Sequence, residues 1–252
     1  MMRVLLSGEN MFLNDRAVHM QLKKEAECFG ITLSPTQEDM LLEHLDLLME
    51  KNKVLNLTRI TDTEGAVRLH LIDSLLVYKA ASPENFSIFL DIGTGGGFPG
   101  ITLAIMSDAH GVLLDSVTKK VVAVSEFLSS LNLNNRISTS SDRAESYALD
   151  HRNEFDLVCA RAVAPLASLV EYAAPLLSFN GRFITTKAQI SEEEFSAGLK
   201  AAKLCGLSYV SRETFELPQN SGHREILIFK KQNNASVKLP RMVGMAKNKP
   251  LA

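Results

Sequence analysis

The stretch LDIGTGGGFPG, residues 90–100, places five glycines and one proline directly behind an apolar run. A turn of this composition lets a ligand approach the main chain where any Cβ would intrude. The triphosphate pattern G-x-x-x-x-G-K-[ST] is excluded, because Gly100 is followed by Ile101 and Thr102 rather than a lysine. The dinucleotide fingerprint G-x-G-x-x-G can be written on Gly95, Gly97 and Gly100. A third pattern, D-x-G-x-G-x-G, is met in full by Asp91, Gly93, Gly95 and Gly97. Both surviving patterns call for an acid at the end of the following strand, where it binds ribose hydroxyls. Asp115 supplies it.

Other reactive side chains give less. Cys28, Cys159 and Cys205 are isolated, and the six histidines show no pair at metal-ligand spacing, so neither a disulfide framework nor a metal site is expected. Cys159 follows Val158 inside an apolar strand pattern and reads as a small core residue, not a nucleophile. Arg161 closes that strand. At a strand's carboxyl end it points to the ligand crevice, suited to a carboxylate or a phosphate.

These residues need a frame, and the pattern provides one. Up to about residue 82 the spacing is helical: a first helix over about 15–28, a second from Ser34, with Pro35 and a Ser34/Gln37 capping box, and a third over 64–81. From residue 86 strands are expected at 87–91, 110–115, 136–140, 155–161 and 181–187, with helices between them, such as 119–133. A helix at about 192–204 then precedes two antiparallel strands, 207–217 and 224–231. This alternation predicts an α/β fold with a doubly wound, mostly parallel, seven-stranded sheet whose last strand is antiparallel. The expected organisation is a helical region (1–82), a ligand-binding domain (83–232) and a basic tail (233–252).

A chain of 252 residues with 46 % apolar side chains can bury a substantial core. The start, MMRVLLSGEN, lacks the apolar run of a secretory signal, and no run is long enough for a membrane span. The expectation is a cytoplasmic monomer without a membrane contact. Net charge is −2, yet all six charged residues from Lys230 onward are basic. Such an end is either a solvated extension or a phosphate-seeking segment.

Together these residues resemble the bacterial 16S ribosomal RNA guanine-N7 methyltransferases, also called glucose-inhibited division protein B, from about Asn52 to the C-terminus. The resemblance is carried by NLTRI (56–60), RLHLIDSL (68–75), the glycine loop with Phe98, Pro99 and Gly100, LLDSVTKKVVAV (113–124), ARAVAPL (160–166) and a PR…G…KP tail. It implies a Rossmann-like class I S-adenosylmethionine-dependent methyltransferase acting on 16S ribosomal RNA or the small ribosomal subunit. It also implies a methyl donor lying against Gly93 and Phe98, which adds to Gly95 and Gly97 of the loop pattern and to Asp115 as the ribose-binding acid. Ala144 and Glu145 would frame the adenine, and Arg161 would reach into the same pocket. Arg68, His70, Asp73 and Ser74 are implied near the active-site mouth, and Arg68, His70, Arg241, Lys247 and Lys249 are the candidate RNA contacts. The N/D-P-P-Y/F/W motif of exocyclic-amine enzymes is absent at the fourth strand. Guanine N7 attacks through an exposed lone pair without losing a proton, so no catalytic residue is assigned. Two features depart from the family pattern. Gly96 stands where Pro or Ala is common, which should loosen the turn. Met242, Val243, Met245 and Ala246 replace further Lys and Pro, which should weaken or rearrange a grip on RNA. A non-catalytic nucleotide sensor and a methyltransferase with a small-molecule acceptor remain open from the residues alone.

Overall fold

Residues 11–82, 86–161 and 164–252 are described by the computed structural model. Helix α1 (Arg16–Cys28) starts where the Asp15 carboxylate accepts from the Ala17 N–H. Helix α2 (Pro35–Asn52) has the expected reciprocal capping box between Ser34 and Gln37. Its stripe of Leu41, Leu45 and Leu48 is fully buried, and His44 shares that face. The third expected helix is not uniform. Helix α3 (Thr63–Ala66) passes through a π-helical segment, Val67–Ile72, into α4 (Asp73–Ala81). The Asp73 N–H reaches back to the carbonyls of Arg68 and His70, a wider turn than periodicity alone can signal.

The chain then alternates as expected: β1 (Ile88–Ile92), α5 (Gly100–Met106), β2 (His110–Leu114), α6 (Thr118–Ser130), β3 (Ile137–Ser140), α7 (Ala144–Asp150), β4 (Phe155–Arg161), α8 (Leu166–Ala173), β5 (Leu177–Lys187), α9 (Glu192–Leu204), β6 (Leu207–Glu216), β7 (His223–Lys231) and α10 (Met245–Asn248). The seven strands lie in the order β3-β2-β1-β4-β5-β7-β6. Strand β7 runs antiparallel between β5 and β6, and the other neighbouring pairs are parallel. The strand order reverses between β1 and β4, where Ile92 lies beside Ala160. In open α/β sheets ligands bind above such a reversal, at the carboxyl ends of the strands. The glycine loop after β1 and Arg161 at the end of β4 therefore meet there.

Strands β1, β2, β4 and β7 bury residues on both faces. Phe89, Leu113, Leu157, Ile226 and Ile228 join one apolar cluster, while their neighbours Leu90, Leu114, Val158, Leu227 and Phe229 join the other. This period-two division is what a sheet covered on both sides requires. Leucines of α1, α2 and α4 belong to the first cluster, so the N-terminal helices close one face of the sheet. The boundary expected at residue 83 falls outside the described residues, as do residues 162–163 of the ARAVAPL segment.

The C-terminal segment is not a solvated extension. Leu239 and Ala246 are buried, and Arg152 donates to the Leu239 carbonyl at 2.6 Å. Two of its six basic residues are engaged within the protein. Lys231 donates to Asn153 Oδ1 and to the carbonyls of Ala174 and Leu177, and its burial lowers its pKa to about 8. Arg241 is paired with Glu171.

Candidate active site

The glycine loop turns back on itself through three left-handed residues, Gly93, Gly95 and Gly97, with φ of 73°, 59° and 96°. At Gly97 a Cβ would lie 2.5 Å from Ile101 Cδ1 and 3.0 Å from His44 Nε2, so no other residue fits without displacement. The loop's N–H groups are largely committed to the protein. Gly93 and Thr94 donate to the Leu114 carbonyl, Gly95 to Asp115 Oδ2, and Gly97 and Phe98 to the Thr94 carbonyl. Gly100 donates to Asp91 Oδ2 at 2.9 Å. A dinucleotide pyrophosphate is held by free N–H groups of such a loop. Here those donors are used internally, which disfavours the dinucleotide reading and suits a ligand without phosphates. The glycines provide close approach rather than an anion cradle.

Gly96 differs from its neighbours: its φ is not left-handed. A Cβ there would lie 2.6 Å from Leu48 Cδ1, and its carbonyl accepts from His44 Nε2 at 2.9 Å. Instead of loosening the turn, the missing side chain makes room for α2, whose leucine and histidine hold the loop. Asp91 does not line the crevice. It is fully buried, and desolvation raises its carboxyl to about 6 against the opposing pull of the Gly100 N–H. Cys159 lies beside it, 3.7 Å from Asp91 Oδ1, and burial raises its thiol well above the ordinary range, with Asp91 adding to the effect. That is a core thiol, not a nucleophile.

A cleft of about 420 Å³ opens beside the loop, lined by Gly93, Gly95 and Phe98, by Leu57, Thr58 and Ile60, and by the polar side chains of His70, Asp73, Lys187, Arg161 and Arg224. Its size is that of a small-molecule site. A stack of rings forms one wall. His44 and Phe98 lie 4.3 Å apart, Phe98 and His70 4.8 Å apart, and the Arg161 guanidinium sits 5.4 Å from the Phe98 ring centre. Burial, with Arg161 and His44 nearby, lowers the pKa of His70 to about 3. Burial and Arg161 lower that of His44 to about 4, although the Gly96 carbonyl opposes this. Both rings are neutral at pH 7. Arg161 Nη2 donates to His70 Nδ1 at 3.5 Å, so His70 Nε2 carries the proton and donates to Thr58 Oγ1 at 2.9 Å.

Asp73 organises the cationic wall. Its carboxylate accepts from Arg161 Nη1 and from Arg224 Nε, both at 3.1 Å, and Arg161 Nη1 also reaches the Leu69 carbonyl at 2.8 Å. The π-helical turn is what presents Leu69, His70 and Asp73 to the end of β4 together.

The structure thus gathers Gly93, Gly95, Phe98, Arg161 and His70 around one cleft. Asp115 joins them through Gly95 and also accepts from Val117 N at 2.9 Å, with carboxylate lone pairs left for further donors. Ala144 and Glu145 open α7 after β3, and Glu145 Oε1 accepts from the Gly244 N–H. Two expected RNA contacts are not available as drawn. Arg68 is buried and donates to Glu25 and Glu64, and it lies outside the cleft lining. Arg241 is held in a fork-to-fork pair with Glu171. Lys247 and Lys249 are exposed, away from the cleft lining. Ser74 is fully buried, with its hydroxyl unpartnered, and does not line the cleft. Sequence reasoning missed His44, Lys187 and Arg224. A histidine on the apolar stripe of α2 was the available signal for the first. The other two lie on strands whose neighbours only the topology supplies. Among the described residues no group of three His, Cys, Asp or Glu could hold a metal ion, and no helix is long and apolar enough to cross a membrane.

Comparison with known proteins agrees with this geometry. The family model described as rRNA small subunit methyltransferase G matches residues 37–224. The ribosomal RNA small subunit methyltransferase G of Clostridium novyi is 34 % identical over 233 residues, covering 91 % of this chain and 96 % of that protein. Its namesake in Deinococcus radiodurans is 36 % identical over 233 residues, 91 % of each chain. Among solved structures, an O-methyltransferase from Bacillus cereus in complex with SAH superposes with a TM-score of 0.55 at 18 % identity, covering 84 % of this chain and 97 % of that one. That likeness identifies the sheet as the class I S-adenosylmethionine-dependent methyltransferase fold. With the family model spanning most of the chain and relatives matched almost end to end, this chain belongs to the rRNA small subunit methyltransferase G family.

Proposed function

We propose that this protein transfers a methyl group from S-adenosylmethionine to N7 of a guanosine in 16S ribosomal RNA of the small subunit. The observation that carries the reading is the joining of a glycine loop, its donors largely used within the protein, to an arginine-lined cleft in a chain of this family. When bound, the donor supplies an electrophilic methyl group on a sulfonium that is already a good leaving group. The residues present fit it. Gly93, Gly95, Gly97 and Phe98 give an uncharged surface for close approach, and Asp115 offers lone pairs to ribose hydroxyls. Ala144 and Glu145, opening α7 after β3, would frame the adenine, and Arg161 would offer a guanidinium to a carboxylate.

What remains for the protein is orientation. Guanine N7 carries its lone pair without a proton to remove, so the acceptor needs no base. The site matches that demand. His70 is neutral with both ring nitrogens engaged, and Cys159 is a buried thiol. The Phe98 and His70 rings and the apolar side chains of Leu57 and Ile60 form one wall of a cleft with room for a purine. Arg161 and Arg224 share the one carboxylate of Asp73 and Lys187 pairs with Glu194, which leaves the mouth with a net positive charge that favours an RNA backbone. Exposed Lys247 and Lys249, away from the cleft, offer the RNA a separate basic contact. The protein acts in the cytoplasm, as a monomer and without a metal.

The test supplies methyl-labelled S-adenosylmethionine with small subunits lacking the modification, then identifies the labelled nucleoside. N7-methylguanosine is expected. Another methylated nucleoside would overturn the acceptor atom. Tight donor binding without label in RNA would point to a sensor or a small-molecule acceptor.

A further inference from the structure

The basic C-terminal segment was expected to serve RNA, yet its firmest contacts are with the donor half of the molecule. Two carboxylates on neighbouring helices are buried there, Glu145 on α7 and Glu171 on α8, exposed by only 8 % and 3 %. Both receive their hydrogen bonds from one four-residue stretch. Arg241 Nε and Nη2 donate to the two Glu171 oxygens at 2.5 and 2.6 Å, and the Gly244 N–H donates to Glu145 Oε1 at 2.8 Å. The stretch is pinned on both sides. Arg241 Nη2 also donates to the Lys249 carbonyl, and the buried Ser168 hydroxyl donates to the Ala246 carbonyl at 2.7 Å. Ala246 is itself fully buried. Between these pins Gly244 adopts φ +83°, the left-handed conformation that aims its N–H at Glu145.

We propose that residues 239–251 form a strap belonging to the donor site, in which Arg241 and Gly244 are positioning residues that fix Glu145 at the adenine end. The proposal rests on the donor reading given above. Buried carboxylates without partners do not stay in place; they rotate toward water or take up a proton. With the strap seated, both carboxylates accept hydrogen bonds from it. With the strap lost, Glu145 and Glu171 lose their donors together. The half-buried Tyr172 lies close enough to both for their charges to raise its pKa, after burial itself. Ala246, one of the departures from the family's tail, is in this light a packing residue: a larger side chain would lift the strap from α8.

The experiment measures binding of S-adenosylhomocysteine and of 5′-methylthioadenosine by calorimetry. The second ligand keeps adenine and ribose but lacks the amino-acid end. The full-length chain is compared with Gly244→Ala and with a chain ending at Lys238. Ala at Gly244 has room, since its nearest neighbour would be Asn248 Nδ2 at 3.5 Å, but it disfavours the left-handed φ. Affinity for both ligands should fall by the same factor, about fivefold for Gly244→Ala and more for the truncation. Arg161→Ala, by contrast, should weaken only the ligand with the carboxylate. A fold control by thermal unfolding without ligand accompanies each variant, and if the truncated chain does not fold, Gly244→Ala decides alone. Unchanged affinity for both ligands in folded variants would overturn the strap while leaving the donor reading intact. Failure of the wild-type chain to bind either ligand would instead overturn the donor reading, and the strap with it.

Discussion

Substitution of His44 by glutamine should remove about half of the acid sensitivity carried by the ring stack. His44 Nε2 holds the Gly96 carbonyl from inside the core, with the ring against Phe98. Burial lowers its pKa from the ordinary 6.5 to about 4. In the unfolded chain the ring gains its proton near 6.5, and in the folded chain only near 4. The unfolded state therefore binds more protons between these values, and stability is lost as pH falls through that window. Between pH 7 and pH 5 this single group costs about 2 kcal/mol. His70, lowered to about 3, adds a loss of similar size. Asp91 works in the opposite sense: its carboxyl is raised to about 6, the folded state takes up its proton first, and acidification returns about 1 kcal/mol. Glutamine keeps an N–H for Gly96 but does not titrate. The variant should lose about 1 kcal/mol at pH 7 with the stack, and its further loss on going to pH 5 should be about 2 kcal/mol smaller than wild type. Urea unfolding of both proteins at the two pH values measures this. An equal drop in both would refute the claim that His44 is held neutral by burial.

The other expectations concern the cleft. Asp115→Ala should weaken S-adenosylhomocysteine binding roughly 10–100-fold by calorimetry while the chain stays folded, because a carboxylate on ribose hydroxyls is a charge-assisted contact. Gly95→Asp should abolish binding, since the left-handed φ of 59° disfavours any side chain and the added charge meets Asp115. Asp73→Asn leaves Arg161 and Arg224 without their shared counter-charge; thermal unfolding should show a loss of about 3 kcal/mol, and methylation should fall with it. Lys247→Gln with Lys249→Gln should leave donor affinity unchanged and reduce the salt dependence of RNA binding by about one to two in slope. An unchanged slope would remove those lysines from the RNA surface.

The parts that were legible from residues alone are those where local chemistry decides. The Ser34 capping box is a contact between residues three apart, so its pattern and its structure coincide. Alternating apolar pairs such as Phe89 and Leu90 sort themselves to opposite sheet faces because side chains on a strand have period two. Gly93, Gly95 and Gly97 announce left-handed turns because other residues disfavour them. The tail shows the opposite limit. Arg241 is a charged residue between Leu239, Pro240, Met242 and Val243, and nothing within ten residues of it says that its partner is Glu171.

By itself, then, the sequence determined the elements, the strand alternation, the loop and the acid that follows it, because each depends on backbone preference or hydrophobic period over a few residues. Tertiary structure alone decided which polar groups meet. It set a π-helical turn so that His70 and Asp73 face Arg161, brought His44 of α2 under the glycine loop, and turned an expected RNA arm back onto Glu145. Those outcomes come from satisfying buried hydrogen-bonding groups between segments far apart in the chain, and pairing at that range is fixed only when the whole core closes.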